Sequence, residues 1–200
     1  MGRGLPPISI NRPKSPEAGS AAGCSYFRTS GIPDLSLRHN TCNPMKILMV
    51  CLGNICRSPL AEGILQQKAQ KAGLKWHVDS AGTNGYHVGE APHRLSQKVA
   101  LLNGLDISSQ RARQFVTADL QQYDRIYAMA GDVVDEMKWI AGNKYEAGKV
   151  DLLLNELYPG RNKDVPDPWY GPEPGYHDVY ELISKACDKI IEKYSTQKNK

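Results

Sequence analysis

Four apolar residues, Ile47-Leu48-Met49-Val50, run directly into Cys51-Leu-Gly-Asn-Ile-Cys-Arg57-Ser58-Pro59, and a helix-like segment follows. A short apolar run closed by a tight turn reads as a buried strand. A tight loop between a strand and a helix N-terminus is an anion site: its N–H groups converge and the helix dipole adds positive charge. Cys51 opens the loop and Arg57 closes it, so a thiol and a guanidinium face the same oxyanion. The planar fork of Arg57 can grip two phosphate oxygens, and such positive surroundings favour a thiolate. Leu52, Gly53, Asn54, Ile55 and Cys56 supply the amides between them, and Ser58 can hydrogen-bond the Cys51 sulfur. The spacing implies a phosphate-binding site that carries a nucleophile.

The rest of the chain alternates strands and helices around this unit. Strand one is Lys46–Cys51. A helix is predicted over 59–72, with Pro59 at its first position, Leu60, Ile64, Leu65 and Ala69 on one face, and Gly73 as its stop. A strand over 76–80, a glycine-containing loop over 82–85 and a helix over 93–103 follow, then a short helix from Thr117. Residues 125–129 and 150–153 read as strands, and 132–140 as a helix between them. In the last helix, over 176–194, Val179, Leu182, Ile183, Ala186, Ile190 and Ile191 form one apolar stripe. This order predicts an α/β fold: a doubly wound, four-stranded parallel sheet with helices on both faces and the phosphate loop after strand one.

Composition bounds the partners. Two hundred residues with 40% hydrophobic and 23% charged content suit one folded domain with some spare chain. No apolar run approaches the ~20 residues of a membrane-spanning helix, so a cytoplasmic chain without a membrane partner is expected. Net charge is +4, but residues 1–44 hold five basic side chains against two acidic ones. A basic excess placed on a tail is no argument for nucleic-acid binding. Residues 1–44 are rich in Gly, Pro, Ser and Arg and aperiodic, which predicts a disordered extension ahead of a domain over 45–200. A basic, acid-poor stretch also fits a transit peptide, and Met45 directly before strand one is an alternative start. Five unevenly spaced cysteines fit reduced thiols better than a disulfide framework. Cys51 and Cys56 have no second ligand pair, so no metal or other cofactor is expected. His77, His87, His93 and His177 read as surface or packing residues, and the chain as a monomer or weak dimer.

A nucleophile that takes up a phosphoryl group needs a proton donor for the departing oxygen. Asp164-Val-Pro-Asp167-Pro-Trp-Tyr-Gly171 offers two carboxyls. Asp167 lies between two prolines, which fix φ and restrict the residues before them, so it is the candidate acid. Trp169 and Tyr170 are candidate pocket walls, deep enough for a phenyl ring.

Cys-x5-Arg-Ser within the run from Val50 to Glu62, together with the Asp-Pro-aromatic-aromatic-Gly loop at Asp167, resembles the low-molecular-weight protein tyrosine phosphatases. The resemblance spans Met45 to about Tyr194. It implies hydrolysis of phosphotyrosine or other aryl phosphomonoesters through a phosphocysteine on Cys51. Arg57 and the loop would bind phosphate, Asp167 would act as general acid and base, and Asn54 would brace the loop with Ser80 as its partner. In similar enzymes a residue placed as Cys56 forms a disulfide with the nucleophile and protects it from over-oxidation. Two positions depart from the pattern: Gln110 stands where many relatives have His facing the residue equivalent to Glu62, and Ala130 where relatives usually have Asp. The alternatives are a thiol-coupled arsenate reductase, for which Cys187 is the only further cysteine in the domain, a phosphoarginine phosphatase, disfavoured by Ile55 in place of Thr, and a non-catalytic phosphotyrosine-binding module.

Overall fold

The computed structural model describes residues 44–196. The predicted extension lies outside these residues except for Pro44. The sheet is built on β1 (Lys46–Cys51), whose side chains alternate between two cores. Ile47, Met49 and Cys51 enter one core with Leu60, Ile64 and Leu65 of α1 (Arg57–Lys71) and Val179, Ile183 and Ile190 of α5 (Glu173–Thr196). Leu48 and Val50 enter the other with Leu120 of α3 (Asp119–Gln122) and Val133 and Met137 of α4 (Gly131–Ala141). A strand buried on both faces reads as a continuous apolar run, which is why 47–50 do so.

Four parallel strands form the sheet in the order β2 (His77–Gly82), β1, β3 (Arg125–Ala128), β4 (Val150–Leu152). After β1 the chain builds β2 on one side, then crosses through α2 (Arg94–Leu102) and α3 to β3 on the other. That reversal opens a crevice beyond the carboxyl end of β1, where ligands of such sheets bind. The doubly wound parallel sheet is the one expected. Among the described residues no helix is long and apolar enough to cross a membrane.

Two boundaries differ instructively from the sequence reading. Helix α1 begins at Arg57, two residues before Pro59. A first-turn N–H has no intrahelical partner, so a proline there removes nothing the helix uses. Strand β2 runs on to Gly82, in register with Cys51; Ala81-Gly82 looks like a turn but is a strand end with no room for a side chain at Gly82. A Cβ on Gly82 would lie 2.8 Å from the Leu52 carbonyl oxygen and 2.9 Å from the Gly53 carbonyl carbon. Both neighbours are backbone of the Cys51 loop, so neither yields by rotating a side chain. Gly82→Ala is therefore expected to lower stability by about 1–3 kcal/mol and to depress phosphate binding as well; denaturant melts and phosphate protection of the Cys51 thiol measure the two effects.

Candidate active site

The loop between β1 and α1 turns on Asn54. Its φ of +56° is left-handed, a region that asparagine enters more readily than other side-chain-bearing residues. The Asn54 N–H points at Cys51 Sγ, 3.2 Å away. Its Nδ2 donates to Ser58 Oγ at 2.9 Å and to Ser80 Oγ at 2.8 Å, and its Oδ1 accepts the Arg113 N–H at 2.9 Å. Ser58 Oγ lies 3.0 Å from Cys51 Sγ and 3.5 Å from the Ala81 carbonyl. Because Ser58 accepts from Asn54, its own proton is free to go to the sulfur or to the Ala81 carbonyl. When Cys51 is a thiolate the sulfur can only accept, and the Asn54 N–H and the Ser58 hydroxyl are the two donors within reach. Helix α1 opens without a side-chain cap, Ser58 lying inside its first turn, so the first-turn amides stay available to an anion.

Arg57 joins this loop to the segment that carries Asp167. Its Nη1 donates to the Val165 carbonyl at 3.2 Å and its Nη2 to Asp167 Oδ2 at 2.5 Å. The segment is pinned to the end of β3: the Val165 N–H donates to the Met129 carbonyl at 2.7 Å, and Asp164 Oδ1 accepts the Gly131 N–H at 2.9 Å. Asp164 is thereby committed to the start of α4. Asp167 Oδ1 accepts the Trp169 N–H at 3.1 Å, and its side chain remains 41% exposed.

These parts enclose a cavity of about 270 Å³. One side is Cys51, Leu52, Gly53, Ile55, Cys56 and Arg57; the other is Asn84, Tyr86, His87, Asp167, Trp169 and Tyr170. Asn54, Ser58 and Ser80 lie behind this lining, buried, with their polar atoms turned to the loop's own bracing. Trp169 is partly covered, whereas the Tyr170 ring stands almost wholly in solvent at the mouth. Burial pushes the Cys56 thiol up to about 12, against the opposing hydrogen bond with the Tyr176 hydroxyl 3.9 Å away.

The sequence profile of the family described as low molecular weight phosphotyrosine protein phosphatase matches residues 46–200. The chain belongs to the low-molecular-weight protein tyrosine phosphatase family. It is 36% identical over 158 residues to the Bacillus subtilis low molecular weight protein-tyrosine-phosphatase YfkJ, covering 78% of this chain and 98% of that one. The crystal structure of YfkJ superposes with a TM-score of 0.72 over 80% of this chain and 99% of that one, at 34% identity. A low molecular weight phosphotyrosine protein phosphatase of Schizosaccharomyces pombe is 37% identical over 139 residues, 68% of this chain and 88% of its own. Vibrio vulnificus Wzb in complex with benzylphosphonate gives a TM-score of 0.67 and 30% identity, over 74% of this chain and 98% of that one.

Both departures from the family pattern have a visible structural setting. Ala130 gives α4 no side-chain cap; Asp164, arriving from the acid segment, accepts the exposed Gly131 N–H instead. Gln110 packs over Gly63 of α1, its side-chain oxygen buried and without a hydrogen-bond partner. Beside it Ser80 Oγ donates to Glu62 Oε2 at 2.6 Å, which extends the chain of bonds Cys51–Ser58–Asn54–Ser80 to a carboxyl group. Burial pushes the Glu62 carboxyl up to about 7, with Asp79 adding to the rise and Ser80 and Arg113 opposing it.

The sequence reading passed over three members of this phosphatase site. Tyr86 and His87 line the cavity, although His87 was expected only to pack or face solvent. Their signal was positional: they follow β2, the neighbour of β1, at the same sheet end. Arg113 was missed as well. Its guanidinium binds Asp79 at 2.8 Å, Asp119 at 3.1 Å and the Tyr123 hydroxyl at 3.2 Å, and this anchoring presents its N–H to Asn54.

A carboxyl whose pKa rises from an ordinary 4.5 to about 7 on folding favours the folded state fully below about pH 4.5, and that contribution is lost as pH rises through about 7. Glu62→Gln should therefore match the native protein near pH 4.5. It should gain on it up to about pH 7, by on the order of 3 kcal/mol, and hold that lead above; paired denaturant melts across this range give the curve.

Proposed function

We propose that residues 45–200 form a protein tyrosine phosphatase domain that hydrolyses phosphotyrosine and other aryl phosphomonoesters through a phosphocysteine on Cys51. The observation that carries this reading is the meeting of the doubly hydrogen-bonded Cys51 sulfur, the Arg57 fork and the Asp167 carboxyl on one cavity. The Cys51 thiolate attacks phosphorus in line while Arg57 and the amides of Leu52, Gly53, Ile55 and Cys56 hold the equatorial oxygens. As the S–P bond forms the P–O(aryl) bond breaks, and the phenolate oxygen takes a proton from the Asp167 carboxyl. A water then attacks phosphorus and passes its proton to the Asp167 carboxylate; the S–P bond breaks, phosphate leaves and the thiolate returns. Preorganised donors carry the developing charge through both steps.

Arg57 and Asp167 are paired through Nη2. A phosphate that takes the guanidinium fork displaces Asp167 from it, and the carboxyl then turns to the leaving oxygen. Trp169 and Tyr170 offer aromatic surface to the phenyl ring, which favours an aryl over a shorter alkyl ester. Cys56, in the same lining, is the proposed partner when peroxide oxidises Cys51: attack of its sulfur on a Cys51 sulfenic acid forms the disulfide and releases water. Arsenate reduction would need a further relay thiol, yet Cys187 is fully buried in the α1–α5 core, where burial pushes its pKa up.

Cys51→Ser should abolish turnover of an aryl phosphate, and chelation by EDTA should leave the native rate unchanged. Asp167→Ala should lower kcat/KM for phosphotyrosine by roughly 10²–10⁴-fold, with a smaller loss on esters whose leaving group needs no proton. Steady-state kinetics on the three proteins check this, and full activity in Cys51→Ser would sink the reading.

A further inference from the structure

The acid segment reaches the phosphate loop through more than the Arg57 pair. Its Trp169 ring sits between two imidazoles: the His87 ring centroid lies 5.7 Å away, and the His93 ring meets it edge-on at 5.3 Å. His93 is the better anchored of the two. Its ring stacks on Tyr176 of α5 at 5.3 Å and an interplanar angle of 19°. Its backbone N–H donates to the Ile55 carbonyl of the phosphate loop at 2.7 Å. Its Nδ1 accepts the Leu95 N–H at 3.4 Å and so caps α2. One residue therefore touches the phosphate loop, the final helix and the acid segment together. Burial lowers the His93 pKa and Arg94 lowers it further, the direction that suits Nδ1 as an acceptor.

We propose that His93 is a positioning residue for the general acid: its ring anchors the Trp169 side chain, and the backbone N–H of the residue so anchored fixes the Asp167 carboxyl in register with Cys51. The route is short. The backbone N–H of Trp169 bonds Asp167 Oδ1 at 3.1 Å, so a ring held in place anchors the stretch of main chain that positions the carboxyl, which Arg57 holds from its other oxygen. Asp167 itself is substantially exposed and lies in a segment outside helix and strand. Its carboxyl is placed by its hydrogen bonds to Arg57 and to the Trp169 backbone, and misplacing a catalytic group by about 1 Å can cost on the order of 10²-fold in rate. An edge-on aromatic contact supplies direction as well as contact area. The proposal rests on the reading of Asp167 as general acid, and its test separates the two.

Two variants split the roles that His93 combines. His93→Asn keeps a good helix cap and removes the ring; His93→Phe keeps a flat ring between Trp169 and Tyr176 and removes the cap. With Asp167→Ala beside them, kcat/KM is measured on phenyl phosphate, a poor leaving group, and on dinitrophenyl phosphate, a good one. His93→Asn should lose about 10-fold on the phenyl ester and no more than about 2-fold on the dinitrophenyl ester, a fraction of what a general acid is worth. His93→Phe should stay within about 2-fold of the native protein on both, although its thermal midpoint falls. Equal losses on the two esters in His93→Asn, or a larger phenyl-ester loss in His93→Phe, overturn the positioning role while leaving the acid in place. If Asp167→Ala itself shows no leaving-group dependence, the acid reading falls and takes this proposal with it.

Discussion

The site depends on an asparagine held in a left-handed backbone conformation. Asn54 could adopt φ near +56° with less strain than most residues, but a glycine there would adopt it more readily still. The side chain explains the choice. Its two amide protons go to Ser58 and Ser80 and its oxygen receives the Arg113 N–H, so donors and acceptor are all used within a buried shell. An aspartate would present acceptors to two hydroxyls and break the direction of the chain. With the amide in place, the Ser58 hydroxyl accepts from Asn54 and lies within reach of Cys51 Sγ and the Ala81 carbonyl, and the strain of the loop is met by hydrogen bonds to three separate segments.

Those segments explain the surrounding architecture. Ser80 belongs to β2 and reaches Asn54 only because β2 pairs with β1 as far as Cys51↔Gly82. That pairing in turn requires a glycine where the two backbones converge. Arg113 comes from a connection that pairs with Gly82 on its other edge. It is held there by Asp79 and Asp119, whose hydrogen bonds raise the guanidinium pKa despite the opposing effect of burial. A partly buried guanidinium shared by two carboxylates fixes the backbone beside it more firmly than a surface ion pair would. The phosphate loop is thus supported from the sheet edge as well as from α1.

How much of this could be read from the chain varied with the kind of signal. Strand β1 and helix α5 announce themselves by period: a continuous apolar run in one case, a three-and-four stripe in the other. Cys51, Arg57 and Asp167 were found because their residue types and spacing carry chemistry, and the structure brings all three to one cavity. The start of α1 was misjudged because Pro59 marks the first turn without saying which position of it. Asp164 as the substitute cap for Ala130 spans 33 residues, and no local pattern encodes such a pairing. Tyr86 and His87 belong to a connection without hydrophobic period and His93 only caps the helix that ends it; the strand order β2-β1-β3-β4 is what places them beside the phosphate loop.

The two halves of the site are secured by different means, and the proposed chemistry gives a reason. The Cys51 loop issues from a strand with no exposed side chain between Ile47 and Val50, and the hydrogen bonds that join Cys51, Asn54, Ser58 and Ser80 are buried. The anion it holds changes little in position through the two steps, so rigidity costs nothing there and saves reorganisation when charge develops. The acid segment is tied at Val165, at Asp164 and through the Trp169 ring, while its carboxyl remains open to solvent. That carboxyl must serve a phenolic oxygen in the first step and a water in the second, at places that differ slightly. A segment fixed at its anchors but partly exposed at the carboxyl itself can serve both, whereas a carboxyl buried as deeply as Arg57 would have to leave its own packing to do so.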